Sequence, residues 1–294
     1  MHAQTGNAIR IRFALPSAEL RPFVTTYYHT QVVTAPTDQP VEDYLHPEWA
    51  NLRFMEDNWA QSAIGNAPLG PCPGFAVTGP TSKATRFRIS SGKSWGIGLM
   101  PLGWAMLFDA PACDYADQVA DGMADPVFAA LRPLALKLRE TGASFTEEVE
   151  LIDKHMATIF TGPTAHTEQI AAINAALVDP EIASVAALTD RVGMNVRSLE
   201  RLSKRAFGFT PKLLLRRQRF LRSLSQFMLD PSLKWLSTLD WQYHDQAHFV
   251  RDFRRFMGMS PTAYAKLDKP LLVAAARARM EIAGQAVQGL HNPA

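Results

Sequence analysis

Hydrophobic positions follow two different periods along this chain, and the change falls near Asp109. Between Ile9 and Leu107 the apolar runs are short, rich in β-branched and aromatic residues, and separated by Gly and Pro. The segment from Val24 to Val33 is mostly Val, Thr and Tyr, and Arg86-Phe87-Arg88-Ile89 alternates polar with apolar. Trp95 to Met100 and Trp104 to Phe108 have strand composition too. Pieces of this kind at such intervals predict one β domain, a sandwich or small barrel.

Beyond Asp109 the period becomes helical. Asp125-Pro126 has the form of a cap followed by Pro at the first helical position, and Val127, Phe128, Leu131, Leu134 and Leu138 recur at helical spacing. A second helix starts at Ser144 or Thr146, with Glu147, Glu148 and Glu150 in its first turns and an apolar face that includes Ile152, Met156 and Ile159. This helical hairpin either packs on the β domain or pairs with a second subunit. Thr161-Gly162-Pro163 marks a boundary. After it, helices are expected over 166–178, 184–191, 195–207, 211–229, 233–241, 245–257 and 261–267, with an accessory helix from Leu271 to Val287 that frays at its end. The fold class is α+β with two domains: a β-rich domain with a helical connector over residues 1–162, an all-α domain over 163–269, and an accessory helix and tail over 270–294.

The helical region contains an ungapped repeat. Phe207-Gly208-Phe209-Thr210-Pro211 returns fifty positions later as Met257-Gly258-Met259-Ser260-Pro261, and Arg201, Lys204 and Arg205 return as Arg251, Arg254 and Arg255. In the first copy Ser184 caps a helix carrying Val185, Leu188 and Val192, and Gly193 permits a tight turn. Asn195 then caps a second helix with Leu199 and Leu202 inward and Arg197, Ser198 and Arg201 outward. That is the layout of a helix-turn-helix, whose second helix enters the major groove of DNA. Arg197 and Arg201 share a face, and either can pair bidentately with guanine, contact a phosphate, or form an ion pair with Glu200 or Asp190.

In the second copy Trp235, Leu239 and Trp241 are expected on the first helix, and Asp245 caps the second. There Gln246, Ala247, Val250 and Arg251 face the groove while Phe249, Phe253 and Phe256 form the core stripe. Lys204 and Arg255 complete the candidate DNA-binding set, together with His248 as a packed or phosphate-contacting residue. Between the copies a continuous linker helix over 211–229 spans roughly 28 Å at about 1.5 Å per residue, comparable with the ~34 Å between successive major-groove faces. Arg216, Arg217, Arg219 and Arg222 are expected on its exposed side, serving phosphates or solubility.

Charge changes the picture more than its total suggests. The chain of 294 residues has a formal net charge of only +2. Yet Ser184 to Lys266 holds fifteen basic and six acidic residues, a net +9, and the remainder nets −7. Segregation of this kind suits a chain in which one domain holds a polyanion. No apolar run approaches membrane-spanning length, and Met1 to Arg12 does not read as a secretory signal. With two cysteines, Cys72 and Cys113, no disulfide framework or four-thiolate zinc site can be built, and a cytoplasmic location fits best.

Leu199-Glu200-Arg201, Phe207 to Pro211, Tyr243 to Phe249 and Phe253 to Pro261 together resemble the C-terminal domain of AraC/XylS-type transcriptional regulators. The resemblance covers about a third of the chain. It implies a seven-helix domain with two helix-turn-helix units, a cupin-like N-terminal domain that senses an effector or mediates dimerisation, and RNA polymerase as a partner. Two positions depart from the family pattern: Ser203 stands where many members have Phe, and Gln242 where many have Gly. The latter puts the geometry of the second turn in question.

Other chemistry finds little support. His29, His46 and Glu48 do not form a metal-ligand cluster. Cys72, between Pro71 and Pro73, lacks the His-Arg that follows an alkyl-accepting cysteine, and the surroundings of Asp114, Asp117, Asp121 and Asp125 do not form the Gly-bearing calcium loop, so a solvated acidic loop suffices. The expectation is a non-enzymatic, cofactor-free regulator that binds double-stranded DNA, modulated by a small-molecule effector or homodimerisation. The alternative is an effector-binding or scaffold protein whose DNA-binding domain has degenerated.

Overall fold

Ten short strands, all paired antiparallel, form the β half of the computed structural model, which describes residues 8–34, 39–57, 59–140, 142–162, 165–229 and 239–292. They are β1 (Ala8–Ala14), β2 (Val24–Val33), β3 (Val41–Leu45), β4 (Asn51–Met55), β5 (Ala60–Ile64), β6 (Gly70–Pro71), β7 (Phe75–Thr78), β8 (Thr85–Ile89), β9 (Gly92–Leu99) and β10 (Val119–Asp121). One sheet runs β1-β2-β9-β4-β7-β10 and the other β3-β8-β5-β6. The long β2 is buried on both faces over most of its length, as its β-branched and aromatic content suits. Tyr28 lies flat over Gly96 on β9, where any Cβ would sit 1.9 Å from its ring.

Of the segment from Trp104 to Phe108, expected as a strand, Trp104 to Leu107 belong instead to helix α1 (Pro101–Leu107), and Phe108 follows it in extended conformation. Pro101 opens it at a position where a missing N–H costs nothing. The Trp104 ring is enclosed by Phe108, Tyr115 and Phe128, so the apolar pattern reports full burial without a diagnostic period. Asp125 accepts from the Val127 amide and starts a 3₁₀ turn over Pro126–Leu131 that leads into α2 (Arg132–Glu140). Ser144 and Glu147 form a reciprocal capping box at the start of α3 (Phe145–Ile159). Leu134, Leu138, Ile152 and Met156 are buried against Leu52, Phe75 and Trp95, so the hairpin packs on the six-stranded sheet. The indole N–H of Trp95 donates to the buried Glu148 at 2.8 Å.

The helical half comprises α4 (Thr167–Val178), α5 (Val185–Val192), α6 (Val196–Phe207), α7 (Pro211–Leu229), α8 (Gln246–Met257), α9 (Pro261–Ala265) and α10 (Pro270–Ala283). The helix expected over 233–241 falls largely outside the described residues, as does Trp235. Its last part is not helical: Asp240 accepts from the Gln242 amide in a tight turn, and Trp241, expected on that helix, is 65% exposed. The accessory helix also ends early, at Ala283, with Gly284 in the left-handed conformation. Its tail does not fray, since Ala286, Val287 and Leu290 are buried.

Helix α10 returns to the β half and lies along β1 and β3, the edge strands of the two sheets. Asp43 on β3 caps it from a distance, accepting from the Leu271 and Leu272 amides at 2.9 and 2.8 Å. Two further cores join the halves. Trp49 and Leu102 pack with Phe207 and Leu214, and Ala84 packs with Phe220 and Phe256.

Candidate nucleic-acid interface

The fifty-residue repeat is reproduced in three dimensions. Helices α6 and α8 each have twelve residues. Asn195 accepts from the Ser198 amide at 2.9 Å, and Asp245 accepts from the His248 amide at 2.6 Å. Both helices end on a left-handed glycine, Gly208 and Gly258, whose amides return to the carbonyls of Lys204 and Arg254. Both are followed by a helix opening with proline, at Pro211 and Pro261.

In the first unit Ser184 caps α5 by accepting from the Ala187 amide, and Gly193 closes the helix at φ +64°. On α6, Leu199, Leu202, Ser203, Ala206 and Phe207 are buried, while Arg197, Arg201 and Lys204 are exposed and Ser198 is half-buried. Neither Arg197 nor Arg201 makes an ion pair among the described residues. Ser203 is fully buried with its hydroxyl unpartnered, while Phe207, one turn on, packs edge-on against Trp49.

In the second unit Phe249, Phe253, Phe256 and Met257 are buried, leaving Gln246, Ala247, Arg251 and Arg255 exposed and Val250 partly so. Gln242 has no left-handed backbone. Its side-chain amide donates to the Pro180 carbonyl, so this turn is held by a side-chain bond between the units instead of by glycine. The half-buried His248 ring lies 3.2 Å from Arg219 and edge-on to Tyr243, and burial together with Arg219 lowers its pKa. Its ring nitrogen accepts from Arg219 and so ties the start of α8 to the linker helix.

The linker helix departs most from expectation. None of its four arginines is a free phosphate-facing charge. Arg216 and Arg219 both bond to Asp252, a fully buried carboxylate on α8 that also accepts from the Tyr243 hydroxyl at 3.2 Å. Arg222 pairs with Asp240. Arg217 is buried on the face of Trp49 with its guanidinium 3.8 Å from the ring, and it donates to the Thr81 carbonyl at 3.0 Å. Burial without an ion-pair partner brings its pKa down to about 9. A helix touching two units and the β half has little solvated face to offer.

The bonds to Asp252 were missed in the sequence, although a sign was present. Asp252 falls on the same helical face as Phe249 and Phe256, and a charge on an apolar stripe calls for a buried partner.

Residues 188–267 match the family described as a helix-turn-helix domain. This stretch of the helical half is a helix-turn-helix domain. Among solved structures, ToxT from Vibrio cholerae is 10% identical with a TM-score of 0.44, over 88% of this chain and 97% of that one. ToxT from Vibrio cholerae O395 bound to (E)-4-(8-methylnaphthalen-1-yl)but-3-enoic acid is also 10% identical, with a TM-score of 0.43 over 88% and 98%. The AraC-like transcriptional activator CuxR is 15% identical, with a TM-score of 0.26 over 74% and 87%. No curated protein matches this chain in sequence. None of the described helices is long and apolar enough to cross a membrane.

Proposed function

We propose that the protein binds a specific duplex site by placing α6 and α8 in two adjacent major-groove segments. The observation that carries this reading is the matched pair of capped helices fifty residues apart, each presenting exposed polar groups on the face opposite its buried stripe. Arg197, Ser198 and Arg201 serve the first groove and Gln246, Ala247, Val250 and Arg251 the second. Asn195, Lys204, His248 and Arg255 stand beside them at the backbone. Residues 163–269 form the DNA-binding domain, residues 1–162 regulate it through an effector or dimerisation, and residues 270–294 are an accessory helix and tail. RNA polymerase and a cytoplasmic location belong to the same reading.

The test is binding of purified protein to genomic fragments at stated salt with competitor DNA. Binding that resists competitor, and is lost in Arg201→Ala and in Arg251→Ala, supports the reading. Only weak, salt-sensitive association would leave a scaffold or effector-binding protein as the better account.

A further inference from the structure

Where α10 bridges the edges of the two sheets it lines a cavity of about 180 Å³ that is open on one side. One side of the cavity is apolar, with Ile11, Leu45, Phe87, Ile89 and Leu271. The other carries Tyr28, Glu48, Asn51, Arg53, Arg279 and Gln288. Most of this polar side is satisfied internally. Arg53 pairs with Glu48 and donates to Thr78, Tyr28 bonds to Asn51, and Asn51 bonds in turn to Gln288.

Arg279 is the exception. It is 6% exposed and has no ion-pair partner among the described residues. One terminal nitrogen donates to Thr26 at 2.7 Å, while Nε and Nη2 have no partner. Those two N–H groups form one edge of the guanidinium, the edge that grips a carboxylate bidentately. Arg217 also leaves nitrogens unpartnered, but it is stacked on Trp49 and does not line the cavity. The Arg53–Glu48 pair is neutral and His46, also lining the cavity, is kept uncharged by burial, so the cavity carries one uncompensated positive charge. A buried cation in that state is costly, and a single anionic group relieves it.

We propose that this cavity binds a small monocarboxylate with an apolar body of about one ring, its carboxylate held by Arg279 of the C-terminal helix. The size follows from the volume, slightly above the roughly 150 Å³ of an apolar cavity that holds benzene. A phosphate dianion would overcharge the site and leave the apolar wall unused. The occupant would sit two short steps from the linker helix. The Glu48 carbonyl accepts from Arg217 at 3.3 Å, and Gly289, next to Gln288, accepts from Gln218 at 2.6 Å. The inference rests on the regulatory reading above only for its consequence at DNA; binding itself stands separately.

Titration calorimetry on the full-length, DNA-free protein tests it, using benzoate, cyclohexanecarboxylate and hexanoate against their neutral amides. The expected result is one-to-one binding of at least one acid, at least tenfold tighter than its amide, and weakened at least tenfold in Arg279→Gln. Absence of binding by all three acids, equal binding of acid and amide, or undiminished binding in the variant overturns the proposal. The acid–amide contrast in the unmodified protein decides the matter if the variant does not fold. Operator binding measured on the same preparation keeps the two readings apart: acid binding without specific DNA binding sinks the regulator reading alone, and the reverse sinks this site alone.

Discussion

The guanidinium of Arg217 lies 3.8 Å from the centre of the Trp49 ring, joining the linker helix between the two DNA-binding units to the β half. Because this cation is buried without an ion-pair partner, its packing should matter more than its charge. Arg217→Ala is expected to lower stability by about 2–4 kcal/mol through the space it leaves. Arg217→Met keeps most of the contact area and should lose about half as much or less. Urea unfolding of the two variants checks this, and equal losses would show that charge is the contribution that counts.

Asp252 holds the second unit to the linker helix through Arg216 and Arg219. Removing it strands two arginines at a buried contact, so Asp252→Ala should cost about 3–5 kcal/mol. Arg216, a third exposed, should cost less when changed to Ala, since Arg219 still pairs with the carboxylate. Thermal unfolding of the two variants would contradict this ordering if Arg216→Ala proved the more damaging.

Acid should loosen the contact between the halves. His46 bonds to the Tyr264 hydroxyl at 2.7 Å, and burial lowers its pKa to about 3. Burial likewise takes His29 and His291 to about 4. Unfolded imidazoles protonate near 6.5, so the unfolded state binds more protons below that value and stability present above pH 6.5 falls as pH drops. Asp43 acts in the opposite sense: burial raises it to about 6, so its contribution is full below about 3.8 and lost above about 6. His155 and His248 are lowered by burial too, so the histidines outweigh Asp43 and denaturation midpoints should fall from pH 7 to pH 5. The fall should be shallower in His46→Gln, and an unchanged slope in that variant would contradict the assignment.

Contacts to bases and to phosphates should separate in their salt and sequence dependence. Arg201→Ala should cost about 1–3 kcal/mol and relax preference at one base position. Lys204→Ala or Arg255→Ala should weaken binding evenly across sequences and reduce the salt slope by about one. Competition binding over a range of salt distinguishes the two patterns; a uniform loss in Arg201→Ala would place that side chain on the backbone.

The helix ends of both units were legible because they are fixed locally. Asn195, Asp245, Gly208 and Gly258 each satisfy a terminus with their own backbone or side chain, and α6 and α8 start and stop as the sequence indicates. Helix α1 was not legible, since burial all round erases the period that separates helix from strand. The linker arginines misled for a different reason. Arg217 lies three residues from both Leu214 and Phe220, on the inward face, but only partners 136 and 169 residues away explain why a cation belongs there. The same holds for Arg279, whose bond to Thr26 spans 253 residues. The groups that line the cavity meet through contacts that no local pattern records.

The central claim is that both units read bases. Fragment enrichment with purified protein, followed by sequencing, tests it most directly when run on the native chain, Arg201→Ala and Arg251→Ala in parallel. The account predicts a motif of two blocks about 10 base pairs apart, with one variant relaxing one block and the other variant the second. A single block left unchanged by Arg251→Ala, or no enriched motif at all, would contradict it.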